Sequence, residues 1–488
     1  MKLEVPFGVE LRTDNRWVIL SALMPWEKIE ERYAENFEGF NGQVAYSGRL
    51  AFGALYIQSR LTLTDDETAM QIQENPSMQF FCGYDFYTPE KPFDSSLMVH
   101  FRKRITAEMM KEIAEEAFLE EARKAIEKEA ADKNEDANEN GDIGGGNGNS
   151  GLVDDGRANK GTILLDATCC PSDIHYPTDL GLLNHGRELT EEMIDILYNR
   201  MPKVCRPEIK PRTYREVARK SFMDYTKKRR HAPGELRSAI RKQLECVRRN
   251  LDSIEKLAAD GADLDSLGNE LKQKLETIKE VYRQQKKMYD EKTNTVEDRI
   301  VSISQPYIRP IVRGKSGSPV EFGSKVATAL IGGFTFIIHM AFDNFSEAKY
   351  LELTVEEYKR MFGFYPEVVI GDRAYPTNDN RAYCKQRGIR LSAQKRGRKT
   401  EEEKEAEKRQ IYEDSCTRNA VEGSYGVGKR KYGLGLIMTK LFETTQTAIS
   451  FGFFVKNMER VLRLYIFALF YKLRFFGNSQ LCFLLQKP

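Results

Sequence analysis

Residues 163–174 read ILLDATCCPSDI, and the acid that follows three aliphatic residues, Asp166, decides how the rest of the chain is read. Ile163, Leu164 and Leu165 make a short, uniformly apolar run, the pattern of a strand buried on both faces. A carboxylate ends the run, and Cys169, Cys170 and Pro171 follow. A second run of the same design, VVIGD, ends in Asp372. In mixed α/β sheets ligand sites gather at the carboxyl ends of strands, where an acid one step past a buried strand would emerge. Two acids on neighbouring strands repel unless they share a cation.

The chemistry of that cation follows from the donors. The chain has five histidines, none spaced as a ligand pair. Oxygen donors alone favour Mg²⁺ or Mn²⁺ over zinc. A third acid would complete a site for two metals, and Glu422 in TRNAVEGSYGVGK is the best placed. Arg418 lies four residues before it and Lys429 seven after; on a helix the three share one face. A carboxylate flanked by bases suits metal binding beside phosphates. Two metals about 3.5–4 Å apart can activate an attacking oxygen and stabilise the leaving oxygen of a phosphodiester. Each acid also has a plainer reading. Asp166 could cap a strand end, Asp372 could be a turn acid, and Glu422 a surface acid with Glu413 and Asp414 as rivals. Asp173 reads as a cap, and Asp343, after FIIHMAF, is the main rival for a metal role.

Outward from these motifs the chain divides by composition. Its 488 residues are enough for several domains. The net charge of +2 hides strong segregation. Residues 205–250 carry fifteen Lys or Arg against five acids, and residues 108–160 fifteen acids against seven bases. Such blocks read as a polyanion-facing surface and a solvated linker. The eight cysteines show no CxxC pair, so no metal or disulfide framework is implied, which suits a reducing cytosol. No signal peptide is expected at the N-terminus. The apolar stretch from Ala448 to Leu485 is broken by Lys456, Glu459, Arg460 and Arg463, and reads as a buried or docking helix rather than a bilayer span.

Residues 1–107 read as a helical domain. RLAFGALYIQSRL has helical spacing, and Thr64 with Glu67 forms a capping-box signature. Helix, turn, helix is compatible with a DNA reader or with a plain bundle. A charged helix and a linker, DKNEDANENGDIGGGNGNSG, fill residues 108–158. From residue 159 to 447 an α/β domain is expected, interrupted at about 190–300 by a helical hairpin. Its two heptad seams run from Ile240 to Ala258 and from Leu264 to Val281. FGSKVATALIGG and FTFIIHMAF read as a hairpin turning at Gly332–Gly333. SEAKYLELTVEEYKRMFG and NDNRAYCKQRG read as helices, IRLSA as a strand, KRGRKTEEEKEAEKR as a charged excursion, and residues 448–488 as a helical tail.

ILLDATCCPSDI, VVIGDRAYPTNDN and RNAVEGSYGVGKRKYG together resemble the three acidic motifs of bacterial insertion-sequence DDE transposases, and RLAFGALYIQSRLTLTDDETAMQIQENPSMQFFCG resembles their helical N-terminal domain. The resemblance implies a ribonuclease H-like mixed sheet carrying the catalytic triad Asp166, Asp372 and Glu422. It also implies two Mg²⁺ (or Mn²⁺) as cofactors. The activity implied is cleavage and joining of DNA at element ends. The family's third motif often carries a Tyr where this chain has Ser415. Glycines at 423, 426 and 428 bring the regularity of that helix into question. Arg373, Lys395, Arg396, Arg398, Arg418 and Lys429 are the expected DNA contacts. The partners implied are element inverted repeats, target DNA and a second copy of the chain in a homodimer or higher oligomer. No membrane is expected, and the place is the bacterial cytoplasm at the nucleoid. A DNA-binding derivative without catalysis, a metal nuclease without strand joining, and a structural coiled coil are the competing readings.

Overall fold

The computed structural model describes residues 10–37, 45–139, 158–312, 320–394 and 397–476. The chain forms two compact units: Met1–Pro171 with Ser324–Ala341 and Phe345–Pro488, and Ser172–Gly323 with Phe342–Asn344.

The first unit begins with helices α1 (Arg16–Leu23), α2 (Trp26–Ala34), α3 (Gly48–Leu61), α4 (Asp65–Glu74), α5 (Pro76–Phe81) and α6 (Leu97–Arg104). Their starts are set by side chains that accept from free helical N–H groups. Asn15 caps α1, Ser47 caps α3, Thr64 caps α4 through the Glu67 amide, and Asn75 caps α5 ahead of Pro76. A long helix, α7 (Ala107–Glu139), follows. The linker expected from Asp132 is therefore helical as far as Glu139, continuing the Glu-, Lys- and Ala-rich helix before it through DKNEDANE. The remainder of that linker, residues 140–157, lies outside the described residues. Strand β1 (Thr162–Pro171) closes this part of the chain.

The second unit carries α8 (Asp179–Arg200), α9 (Arg215–Thr226), α10 (Glu235–Ala259) and α11 (Gly268–Glu291), then the short strand β2 (Pro310–Val312). The seams are buried over most of their length, with Leu264 exposed, and their partner is α8 as well as each other. Leu244, Val247, Leu251 and Ile254 of α10 share one core with Leu183, Ile194 and Leu197 of α8 and with Leu275, Ile278 and Val281 of α11.

In the first unit the chain resumes with β3 (Val320–Ile331, from Ser324 onward) and β4 (Phe334–Ala341). Ile331 pairs with Phe334 across a two-residue turn. Gly332 and Gly333 occupy it at φ +56° and +86°, the left-handed conformation such hairpins require. Then come α12 (Leu351–Phe362), β5 (Val368–Ile370), α13 (Asn378–Gln386), β6 (Arg390–Leu391), α14 (Glu401–Lys431) and α15 (Phe442–Phe476). β4 pairs β3 antiparallel, and the sheet continues from β3 through β1 and β5 to β6. β1, β5 and β6 are parallel.

Strand alternation divides the sheet's side chains between two cores. Ile163, Leu165, Ala329, Ile331 and Val369 join a large core with α3, α7, α12 and α15. Leu164, Val326, Leu330, Val368 and Ile370 pack on the other face with Val421 and Tyr425 of α14. The N-terminal helices thus share a core with the sheet, through Phe52 and Tyr56 against Phe451 and Phe454. No helix of the described residues is long and apolar enough to cross a membrane.

Candidate active site

Asp166 does not end its strand, as the sequence suggested; β1 continues five residues past it to Pro171. The continuation is buried at Ala167, Thr168, Cys169 and Cys170, so it is held by packing rather than by a β-branched run. What places the acid is its parity. Asp166 stands two residues beyond Leu164, on the face that α14 covers. β5 is short, and Asp372 lies two residues past its last member, Ile370. Leu164 is opposite Ile370 in the parallel register, where the pairing of β1 with β5 ends; Asp166 and Asp372 each lie two residues beyond that pair.

The electrostatics agree with that register. The Asp166 carboxyl is pushed up to about 6, first by burial and then by the nearby acids Glu347 and Asp372. Its Oδ1 accepts from the Ala167 amide at 2.8 Å, and the Arg418 guanidinium lies close enough to oppose the shift. Asp372 Oδ1 accepts from the Ala374 amide at 2.9 Å, which fixes the carboxylate on its turn. Gly371 before it has a packing role: a Cβ there would sit 2.6 Å from the ring of Tyr375. Tyr375 is 2% exposed, and its hydroxyl pKa is raised by burial and by Glu347, Tyr425, Asp166 and Asp372 around it. Tyr425 bonds Thr328 at 2.7 Å through its hydroxyl and lies near Asp166 and Glu347.

α14 supplies the third motif. From Glu401 onward the charged excursion and the glycine-rich segment are one helix of 31 residues, begun by a complete capping box between Thr400 and Glu403. Gly423, Gly426 and Gly428 do not break it. Gly428 is where Leu434 packs, 2.8 Å from an added Cβ, while Gly423 has no neighbour within 4 Å. Asp414, Val421, Tyr425 and Gly428 form the buried stripe. Arg418 falls on this stripe and Glu422 on its flank. Arg418 Nη2 reaches Glu422 Oε1 at 3.4 Å, with the Glu422 side chain 60% exposed. Arg418 thus stands between Asp166 and Glu422. Among the described residues no group of three His, Cys, Asp or Glu side chains is close enough to hold one ion. The donors nevertheless fit a hard divalent cation in kind. They are carboxylates, Asp372 lies near enough to Asp166 to raise its carboxyl, and a cation would relieve that repulsion.

Glu347 is the acid that the sequence reading missed. It sits in the 3-10 turn Glu347–Tyr350 after β4, 17% exposed, and pairs with Lys325 of β3 at 2.9 Å. It lies near Asp166, Tyr375 and Tyr425. An acid between a strand and an amphipathic helix reads as an ordinary first-turn acid, so the sequence carried no distinguishing signal. The rival Asp343 is exposed and belongs to the second unit with Asp173. Asp414 is taken by Arg390 in a bidentate pair at 2.8 Å.

A cleft of about 600 Å³ opens beside Asp372, lined by Arg373, Arg381, Gln394, Ser415 and Arg418. Of the other expected contacts, Arg398 is exposed and Lys429 partly exposed on α14. Lys395 and Arg396 lie outside the described residues.

Residues 369–459, which include Asp372 and Glu422, match the family model of the transposase DDE domain. Residues 8–104 match that of a transposase domain, DUF772. The chain is a relative of the insertion-sequence DDE transposases, the family its acidic motifs resemble. Asp166 lies outside both matched segments. The chain is 34% identical over 96 residues to the "Uncharacterized protein ORF8 in nfe locus" of Rhizobium meliloti, over 20% of this chain and 46% of that protein. The chain therefore spans less than half the length of that curated relative. No solved structure matches the chain.

Proposed function

We propose that the protein is a DNA transposase that cuts at insertion-sequence ends and joins the freed ends to target DNA, with Asp166, Asp372 and Glu422 as its catalytic carboxylates. The observation that carries this reading is that Asp166 and Asp372 each lie two residues past the paired Leu164 and Ile370 of neighbouring strands, near enough for Asp372 to raise the Asp166 carboxyl. The strand order β4–β3–β1–β5–β6 supports a ribonuclease H-like sheet, with Asp166 on β1 and Asp372 just past the neighbouring β5. Two divalent cations, Mg²⁺ or Mn²⁺, would supply positive charge against the attacking and leaving oxygens. Asp166 would hold them from a strand and Asp372 from the turn after β5. Glu422 would join once released from Arg418, which would then be free for a phosphate. Arg373, Lys395, Arg396, Arg398 and Lys429 would hold the DNA backbone.

Each chemical step exchanges one P–O bond for another. Water attacks the phosphodiester and leaves a 3′-hydroxyl on the element; that hydroxyl attacks a target phosphodiester and displaces a 3′-hydroxyl there. No covalent protein–DNA adduct and no external energy source is needed. Pairing of two element ends calls for a homodimer or larger assembly on DNA, in the bacterial cytoplasm at the nucleoid.

The test is incubation with DNA carrying the element's inverted repeats and with target plasmid, with and without Mg²⁺. Nicking at the end and joining to target, both lost in Asp372→Ala, are expected. Nicking without joining would make it a nuclease. Binding without nicking would make it a DNA-binding derivative.

A further inference from the structure

The second unit, which neither matched segment covers, carries a charge pattern that the catalytic reading leaves unused. Lys220 on α9, Lys227 at its C-terminal cap, Arg229 and Arg230 in the following turn, and Arg241 and Lys242 on α10 are all exposed. None of the six makes an ion pair among the described residues. On α11, by contrast, four of the cations are matched: Lys272 with Asp265, Lys274 with Glu270, Lys279 with Glu276 and Lys286 with Asp290. An exposed helix surface normally mixes signs in this way. Six unmatched cations in a short span repel one another and raise the cost of the folded state unless a polyanion neutralises them.

The geometry favours a phosphate ligand. α9 and α10 pack together and leave a groove of about 420 Å³ between them. Lys220, Ser221 and Tyr225 line it from α9, and Ser238 and Lys242 from α10. Ammonium groups with hydroxyl donors suit phosphodiester oxygens. Of the two acids there, Asp224 and Glu235, the second is engaged by Lys228 and by the Ala232 amide at 3.0 Å. Tyr225 stacks on His231 at 4.1 Å, which ties the turn carrying Arg229 and Arg230 back onto α9.

We infer that α9, the turn after it and the first turns of α10 form a sequence-independent grip on the backbone of duplex DNA, separate from the carboxylate site. The choice of DNA among polyanions rests on the transposase reading; the grip itself rests on charge and placement.

The experiment measures binding of the full chain carrying Asp372→Ala to a short duplex of arbitrary sequence, by fluorescence anisotropy in chelator, from about 50 to 200 mM salt. Each phosphate contact contributes about 0.9 to the slope of log affinity against log salt. Replacing Lys220, Arg230, Arg241 and Lys242 by Gln should lower that slope by about 3–4, so the affinity lost across the range shrinks roughly a hundredfold. The same change at Lys272, Lys274, Lys279 and Lys286 removes equal charge from matched pairs and should leave the slope near that of the parent. Equal slopes in the two variants would overturn the inference. So would loss of binding to phosphatidylserine vesicles in the first variant with an unchanged DNA slope. The measurement needs no cleavage, so a chain that fails to nick can still show the grip, and a nicking chain can lack it.

Discussion

Replacing Asp166 by Asn should make the metal-free protein more stable at neutral and alkaline pH while abolishing function. The wild-type carboxyl is raised to about 6 from its ordinary value of 3.8, chiefly because burial disfavours the ion. A raised acid pKa means that the native state holds the proton more tightly than the unfolded chain. Its contribution is therefore full below the unfolded value and is lost as pH rises through about 6. Ionising a carboxyl held roughly two pH units high costs about 3 kcal/mol. Asp166 is only partly buried, and solvent screening brings the expected figure to roughly 1–2 kcal/mol. Asn keeps an oxygen for the Ala167 amide and never ionises. Urea unfolding in chelator at pH 4 and pH 8 should show near-equal stability at the lower pH and a variant more stable by that amount at the higher. Adding Mg²⁺ should stabilise wild type and leave the variant unmoved. A variant no more stable at pH 8, or equally stabilised by Mg²⁺, would refute the reasoning.

Other outcomes follow from single contacts. Glu422→Gln should reduce Mg²⁺-dependent nicking by at least about a hundredfold with little change in unfolding midpoint, since the side chain is largely exposed. Gly423→Ala adds a methyl where nothing lies within 4 Å and should stabilise α14 by up to about 1 kcal/mol. Gly428→Ala pushes against Leu434 and should cost roughly 1–3 kcal/mol, both read by urea unfolding. Arg390→Ala leaves the buried Asp414 carboxylate without its bidentate partner and should cost roughly 1–3 kcal/mol at pH 7, less as the pH falls and Asp414 takes up a proton.

The parts of the site that the sequence disclosed were those with local causes. Asp372 lies one glycine past a three-residue apolar strand, and its position is legible from VVIGD alone. Asp166 was found for a reason only half right. The residues after it, Ala-Thr-Cys-Cys-Pro, do not advertise a strand, yet β1 runs through them because the cores on both faces bury them. Parity, not termination, aims the acid at α14. The capping-box residues Thr400 and Glu403 stood in plain view, but the charge run around them suggested an excursion rather than a first helical turn. Glu347 could not be read at all, because its significance lies in nearness to Asp166 across a fold. The seams of α10 and α11 were legible as seams, whereas α8 as their third partner was a tertiary fact. The same holds for the N-terminal helices, whose periodicity was clear but whose shared core with α15 was not.

The most direct measurement is anomalous scattering from a crystal soaked in Mn²⁺. The account predicts manganese bonded to the carboxylates of Asp166 and Asp372 at about 2.0–2.3 Å, with Glu422 turned from Arg418 towards it. A crystal saturated with Mn²⁺ that showed no peak between those two aspartates, or a peak on other side chains alone, would contradict it.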